Sequence, residues 1–150
     1  MAAGDVAIRV AERLDEEAAA AIEQGLSAYN REHGGESGGR PVAVTVRDRG
    51  TGAPVGGLRG RTSYGLLYID LLFLPPHLRG GGLGGAVVQA AEVEAARRGC
   101  TMAMLFTFDF QAPGFYARLG YEEFGRVEPE PPGRARIYMR KRIGPSATPG

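Results

Sequence analysis

Apolar residues recur along the chain with more than one period, and each change of period marks a new element. Residues 5–11, DVAIRVA, alternate apolar and polar and predict a short strand. Beyond them Ala18, Ile22, Leu26 and Tyr29 recur at steps of four, four and three, which lays them on one face of a helix. Asp15 offers an N-cap to that helix, and Gly34-Gly35 stops it. VAVTVR, the turn RGTG and APVGGLRG then read as a β-hairpin. Residues 65–74, GLLYIDLLFL, are almost continuously apolar, as a central strand would be, and Pro75 and Pro76 end it because neither donates to a ladder.

A second helix is predicted from about Gly82 to Arg98, with Leu83, Val87, Ala90, Ala91 and Glu94 at helical steps. Gly99 closes it and an apolar strand follows over 101–108. QAPGFYARLG makes a short helix, with Pro113 early and Gly120 after it. YEEFGRV and RARIYMRKRI are the last two strands, around the loop EPEPPG. The fold class is therefore α/β (α+β), a mixed sheet of about six to seven strands with three to four helices on its faces.

Composition narrows the function. At 150 residues the chain has the length of one domain, expected over 1–143 with a mobile tail at 144–150. With 18 basic and 17 acidic residues it lacks the basic excess that phosphate-driven nucleic-acid binding requires. The single cysteine, Cys100, excludes an internal disulfide or a multi-cysteine metal site, and its apolar surroundings predict a small buried hydrophobe. Neither His33 nor His77 has metal partners at ligand spacing, so no metal is expected. No apolar run is long enough for a membrane span and no secretory signal opens the chain, so the expected location is the cytoplasm, without membrane partners.

Candidate chemistry centres on HLRGGGLGGAV, residues 77–87. A buried strand ends, a loop turns and a helix begins, and the first-turn amides of that helix have no intrahelical acceptors. With the helix dipole they favour an anion by about 0.3–1 kcal/mol, up to ~2 when partly buried. Side chains at Gly80, Gly81, Gly82 or Gly84 would stand between those amides and a phosphate, and Arg79 adds a fork of donors suited to phosphate oxygens. No Lys-Ser/Thr follows, so the segment is not a Walker A loop, and it fits a dinucleotide fingerprint only loosely.

Arg79, Gly82 and Gly84 match the pattern Gln/Arg-x-x-Gly-x-Gly/Ala, and about thirty residues later Ala112, Phe115, Tyr116, Gly120 and Tyr121 match Ala-x-x-Phe/Leu-Tyr-x-x-x-Gly-Phe/Tyr. In both motifs the chain resembles the GNAT superfamily of acetyl-CoA-dependent N-acetyltransferases. The resemblance implies a sheet splayed in the middle, with coenzyme A wedged where the strands at 65–74 and 101–108 part. It implies pyrophosphate on the amides from Arg79 through Leu83 to Gly85, and a pantetheine arm paired with the backbone of Leu72, Phe73 and Leu74 as an added strand. It also implies that Tyr116 serves the departing thiolate as general acid. Where the superfamily often has Asn, seven residues before that tyrosine, this chain has Asp109, and Gln111 is the residue expected to supply the missing amide contact.

The expected reaction is direct attack by a primary amine, of a small molecule or a protein, on the thioester of acetyl-CoA. Asp70 interrupts an apolar strand and is the first choice of base; a carboxylate there is buried with a raised pKa, or lies at a rim and merely accepts hydrogen bonds. Asp109 is the other candidate base. Tyr68 shares the strand parity of Asp70 and, with Tyr29 and Asn30 of the first helix, is expected to shape the acceptor pocket. Glu122, Glu123, Glu128 and Glu130 either attract a cationic amine or form a solvated charged face. A silent coenzyme-A-binding sensor and a nucleotide-binding α/β protein are the rival classes. Superfamily members often dimerise, which adds a homodimer to the expectations.

Overall fold

A computed structural model describes residues 3–144, and the tail expected at 144–150 lies, after its first residue, outside the described residues. Contacts divide the chain into two compact units, Met1–Ser37 and Gly38–Gly150.

The first unit holds a 3-10 turn, Ala3–Asp5, and α1, Glu16–Gly34. Asp15 caps α1 by accepting the Ala18 amide at 2.7 Å, and Gly35 follows its last turn at φ +76°, a conformation that favours glycine. The strand expected over residues 5–11 is absent: Asp5 ends the turn and residues 6–11 follow it as irregular chain, with Ile8 and Val10 almost fully exposed. Alternation describes one wet and one dry side, but a strand forms only where another strand offers a ladder. Ile22, Leu26 and Tyr29 are exposed on α1.

The second unit is built on six strands: β1 Arg40–Arg47, β2 Pro54–Ser63, β3 Leu66–Phe73, β4 Met102–Phe108, β5 Glu122–Val127 and β6 Arg136–Arg142. Their spatial order is β1-β2-β3-β4-β6-β5; only β3 and β4 run parallel, joined by the crossover through α2, Leu83–Arg97. A third helix, α3, spans Pro113–Arg118 with its proline in the first turn.

Val42, Leu58, Leu67, Ile69, Ala103, Leu105, Ile137 and Met139 point to one face of the sheet and form the core with Val87, Val88, Ala91 and Ala95 of α2. The buried stripe of α2 is 87, 88, 91, 92 and 95, so Ala90 is exposed and Glu94 pairs with Arg97 and Arg98 instead of lining the core. Arg98 anchors the end of α2 by donating to the Pro41 carbonyl at 3.0 Å and the Thr62 hydroxyl at 3.2 Å. Glu92, on the buried stripe, accepts from Tyr121 Oη at 2.7 Å and from the Lys141 ammonium at 3.0 Å. Cys100 is buried, and burial raises its thiol pKa, as a packing cysteine requires.

Candidate functional site

The sheet forks at its centre. β3 and β4 pair from Leu66↔Met102 to Ile69↔Leu105 and no further. Beyond that point β3 stays paired with β2 as far as Phe73, and β4 stays paired with β6 as far as Phe108. The edge of Asp70–Phe73 that turns toward β4 therefore has no strand partner among the described residues. Asp70 is itself a β-bulge: Arg59 pairs with Leu71 and Gly60 with Ile69, which leaves Asp70 as the extra residue. A bulge bends and twists its strand, and this one lies where the pairing stops.

The segment after β3 leads from the unpaired end of that strand into α2. Pro75 and Pro76 end the strand, and a 3-10 turn over Pro76–Leu78 leads into the glycines. Gly80 and Gly82 have φ of +86° and +84°, which favour glycine, and a side chain at Gly80, Gly81 or Gly82 would project into open space. Gly82 is the N-cap of α2, so the helix presents its first amides there. Gly84 and Gly85 have a different reason to be small. A Cβ on Gly84 would lie 3.0 Å from the Phe115 ring, and one on Gly85 would lie 3.3 Å from Leu119. Their glycines let α2 approach α3, so the clearance expected at Gly84 serves helix packing. Arg79 turns back toward β3, its Nε donating to the Leu74 carbonyl at 2.8 Å and its guanidinium 5.8 Å from the Phe73 ring. The carbonyl of Leu74 is thereby engaged, while the remaining Arg79 donors meet no acceptor among the described residues.

Tyr116 follows on α3, buried, with its ring edge-on to Phe115 and Tyr121. Burial pushes its phenol pKa up to about 12, so it stays protonated at neutral pH. Asp109, just past β4, keeps a buried carboxylate oxygen, Oδ1, with no hydrogen-bond partner, while its amide donates to Ala135. An orphaned buried acceptor is costly unless a donor arrives from elsewhere. The side-chain oxygen of Gln111 is already engaged: Oε1 accepts the Phe108 amide at 3.0 Å and so caps the end of β4.

Asp70 lies at the rim of the sheet. Its side chain is 39 % exposed and accepts Arg59 Nε at 3.0 Å together with Arg59 Nη2, so the rim alternative holds and the buried one fails. Tyr68 stands beside it; burial, then the charge of Asp70, raises its pKa. Tyr29 and Asn30 belong to α1 and are described with the first unit, Tyr29 with its ring 4.2 Å from that of His33. Of the acids, Glu122 is bonded to Arg140 and Glu123 to Arg126. Two features lie outside the expectations drawn from sequence: the Glu92–Tyr121–Lys141 cluster, and the rings of Phe106, Phe108, Phe110 and Tyr138 on the sheet face opposite α2. An acid at Val88 + 4 on an apolar stripe was the available signal for the first.

A cleft of about 370 Å³ lies beside the start of α2, lined by Gly82, Gly85, Gln89, Glu92 and Lys141 among others. No helix among the described residues is long and apolar enough to cross a membrane.

The chain is similar to known proteins. Acetyltransferase Atu2258 of Agrobacterium fabrum is 38 % identical over 129 residues, covering 86 % of this chain and 93 % of that one. A blasticidin-S acetyltransferase of Streptomyces morookaense is 41 % identical over 83 residues, 55 % of this chain and 61 % of its own. The crystal structure of a candidate acetyltransferase from Agrobacterium tumefaciens superposes with a TM-score of 0.83 at 35 % identity, over 91 % of this chain and 99 % of that one. The family described as Acetyltransferase (GNAT) family matches residues 9–121. With the forked sheet and the glycine-led helix, these likenesses establish that the chain belongs to the GNAT family and is an acyltransferase.

Proposed function

We propose that this acetyltransferase moves acetyl from acetyl-CoA to a primary amine by direct attack inside the fork between β3 and β4. The observation that carries the reading is the end of β3–β4 pairing at Ile69↔Leu105, with the first amides of α2 at the mouth of the opening. The residues suit the co-substrate. Gly80, Gly81 and Gly82 leave the amides from Arg79 to Gly85 approachable by a diphosphate, and the Arg79 Nη donors complete the cradle. The unpaired edge of β3 at Leu72 and Phe73 takes the pantetheine arm as an extra strand, with the Leu74 amide beside it. Asp109 Oδ1 accepts a pantetheine N–H, which supplies the donor it lacks. The cleft along Gly82, Gly85 and Gln89 receives the nucleotide end.

The chemistry divides among a few groups. An ammonium of pKa ~10.4 costs about 4–5 kcal/mol to deprotonate at pH 7. Asp70, exposed at the bulge, accepts that proton through water. The amine nitrogen bonds to the thioester carbon, and amides near Leu72–Leu74 donate to the developing oxyanion. As the C–S bond breaks, Tyr116 donates a hydrogen bond to the sulfur. Its pKa of about 12 lies above that of a thiol, near 8.5, so complete transfer is uphill and a strong hydrogen bond is its main contribution. Tyr68, beside Asp70 on β3, shapes the acceptor pocket. The likeness to a blasticidin-S acetyltransferase favours small-molecule amines over protein amines.

Thiol release from acetyl-CoA, measured with a panel of amines, tests the scheme. Tyr116→Phe is expected to lower kcat by about 10²-fold or more with coenzyme affinity retained. Wild-type rates in the variant would remove Tyr116 from the chemistry, and no stabilisation of the protein by coenzyme A would remove the site.

A further inference from the structure

The sheet face opposite α2 is strongly unbalanced in charge. Cross-strand partners share a face, so the ladders Arg61↔Tyr68↔Met104↔Arg140 and Phe106↔Tyr138 assign its residues. Five arginines project there, Arg59, Arg61, Arg136, Arg140 and Arg142, against two carboxylates, Asp70 and Glu122. Both carboxylates are already consumed, Asp70 by Arg59 and Glu122 by Arg140. Arg136 has no carboxylate partner among the described residues. It is nevertheless held in place, its guanidinium 4.9 Å from the Phe108 ring and 5.9 Å from the Phe106 ring. Phe106 and Phe108 are the β4 residues that flank the fork. A half-buried guanidinium fixed over aromatic rings keeps its edge donors in a planar fork, the geometry that matches a carboxylate.

A polycationic acceptor would meet like charge on this face and a second desolvation cost at Arg136. We infer that the acceptor is a small amine that also carries a carboxylate, which pairs with Arg136 while its body lies against Phe106 and Phe108. This rests on the reading that acetyl transfer takes place in the β3–β4 fork, and it makes Arg136 a specificity-determining residue.

The test is titration of protein saturated with coenzyme A with matched pairs differing only in the carboxylate: phenylalanine and phenethylamine, tyrosine and tyramine, lysine and cadaverine. Coenzyme binding is recorded before any amine is added, and its absence would overturn the fork reading and this one with it. With coenzyme bound, at least one carboxylate-bearing member is expected to bind about ten-fold or more tightly than its partner, the discrimination of one charged hydrogen-bonded pair. That preference shrinks at high salt, disappears in Arg136→Gln with coenzyme affinity unchanged, and persists in Arg97→Gln on α2. Equal affinities, preference for the simple amine, or no binding by any pair overturns the inference while leaving the coenzyme site standing. The wild-type comparison decides this without the variants. A preference that survives Arg136→Gln overturns the assignment to Arg136.

Discussion

Replacing Lys141 by Met strips the ammonium from Glu92 and leaves a carboxylate inside the protein with one hydroxyl donor. In the wild type the Lys141 nitrogen lies 3.0 and 3.1 Å from the two Glu92 oxygens, and Tyr121 Oη lies 2.7 Å from one of them. The Glu92 side chain is 11 % exposed and that of Lys141 26 %, so water reaches the cation better than the acid. Breaking a fully buried pair from one side costs about 3–5 kcal/mol; allowing for this partial exposure, about 2–4 kcal/mol is expected. At roughly 2–4 °C per kcal/mol for a chain of this size, Tm falls by ~5–15 °C. Glu92→Leu with Lys141→Met removes both charges, and what remains is the unpaired Tyr121 hydroxyl, about 1–3 kcal/mol. Adding Tyr121→Phe brings the triple variant to within ~1 kcal/mol of wild type, because apolar packing replaces the whole cluster. Urea unfolding of the single, double and triple variants at pH 7 measures each step. A Lys141→Met loss below about 0.5 kcal/mol, or strictly additive single losses, would refute the reasoning.

Gly82→Val forces a β-branched residue to φ +84° and sets a side chain over the first amides of α2; coenzyme affinity should fall at least ~100-fold by calorimetry, with stability lowered by about 1–2 kcal/mol. Gly84→Val should act on the fold instead, costing about 1–3 kcal/mol in thermal unfolding as it drives into the Phe115 ring 3.0 Å away. The pH profile separates the roles of amine and phenol. Because burial raises the Tyr116 pKa to about 12, kcat should rise with pH as the amine loses its proton and show no falling limb from Tyr116 below about pH 11. The same shift has a stability consequence. The raised pKa means the folded state holds the proton more tightly, so its contribution is complete below pH ~10 and is lost as pH rises toward 12, about 2–3 kcal/mol in all.

Much of this fold was readable because its signals are local. The apolar run of β3 with two prolines behind it, the glycine and arginine before α2, and the proline and glycine bracketing α3 each act within a few residues. Errors arose where the decisive partner lies far along the chain. Residues 5–11 have the alternation of a strand but no ladder. The bulge at Asp70 exists only because β2 pairs with β3 in a shifted register, which no reading of β3 alone could show, and it carries the carboxylate out to Arg59. At Gly84 the demand for a small residue comes also from Phe115, thirty-one positions later, whose ring leaves no room for a Cβ. The conformation of the glycine loop was legible, since positive φ at Gly80 and Gly82 and bare amides ahead of α2 follow from composition and position.

The cluster at Glu92 also bears on how wide the fork can open. α2 lies against β1, β2 and β3, where Arg98 fastens its end, while Lys141 and Tyr121 belong to the other half of the sheet. One carboxylate thus acts as a tie rod across two half-sheets that share only the short seam from Leu66↔Met102 to Ile69↔Leu105. Loosening it would let the halves spread without altering a residue on either unpaired strand edge, so the aperture and the edges that face it are separately adjustable in this protein.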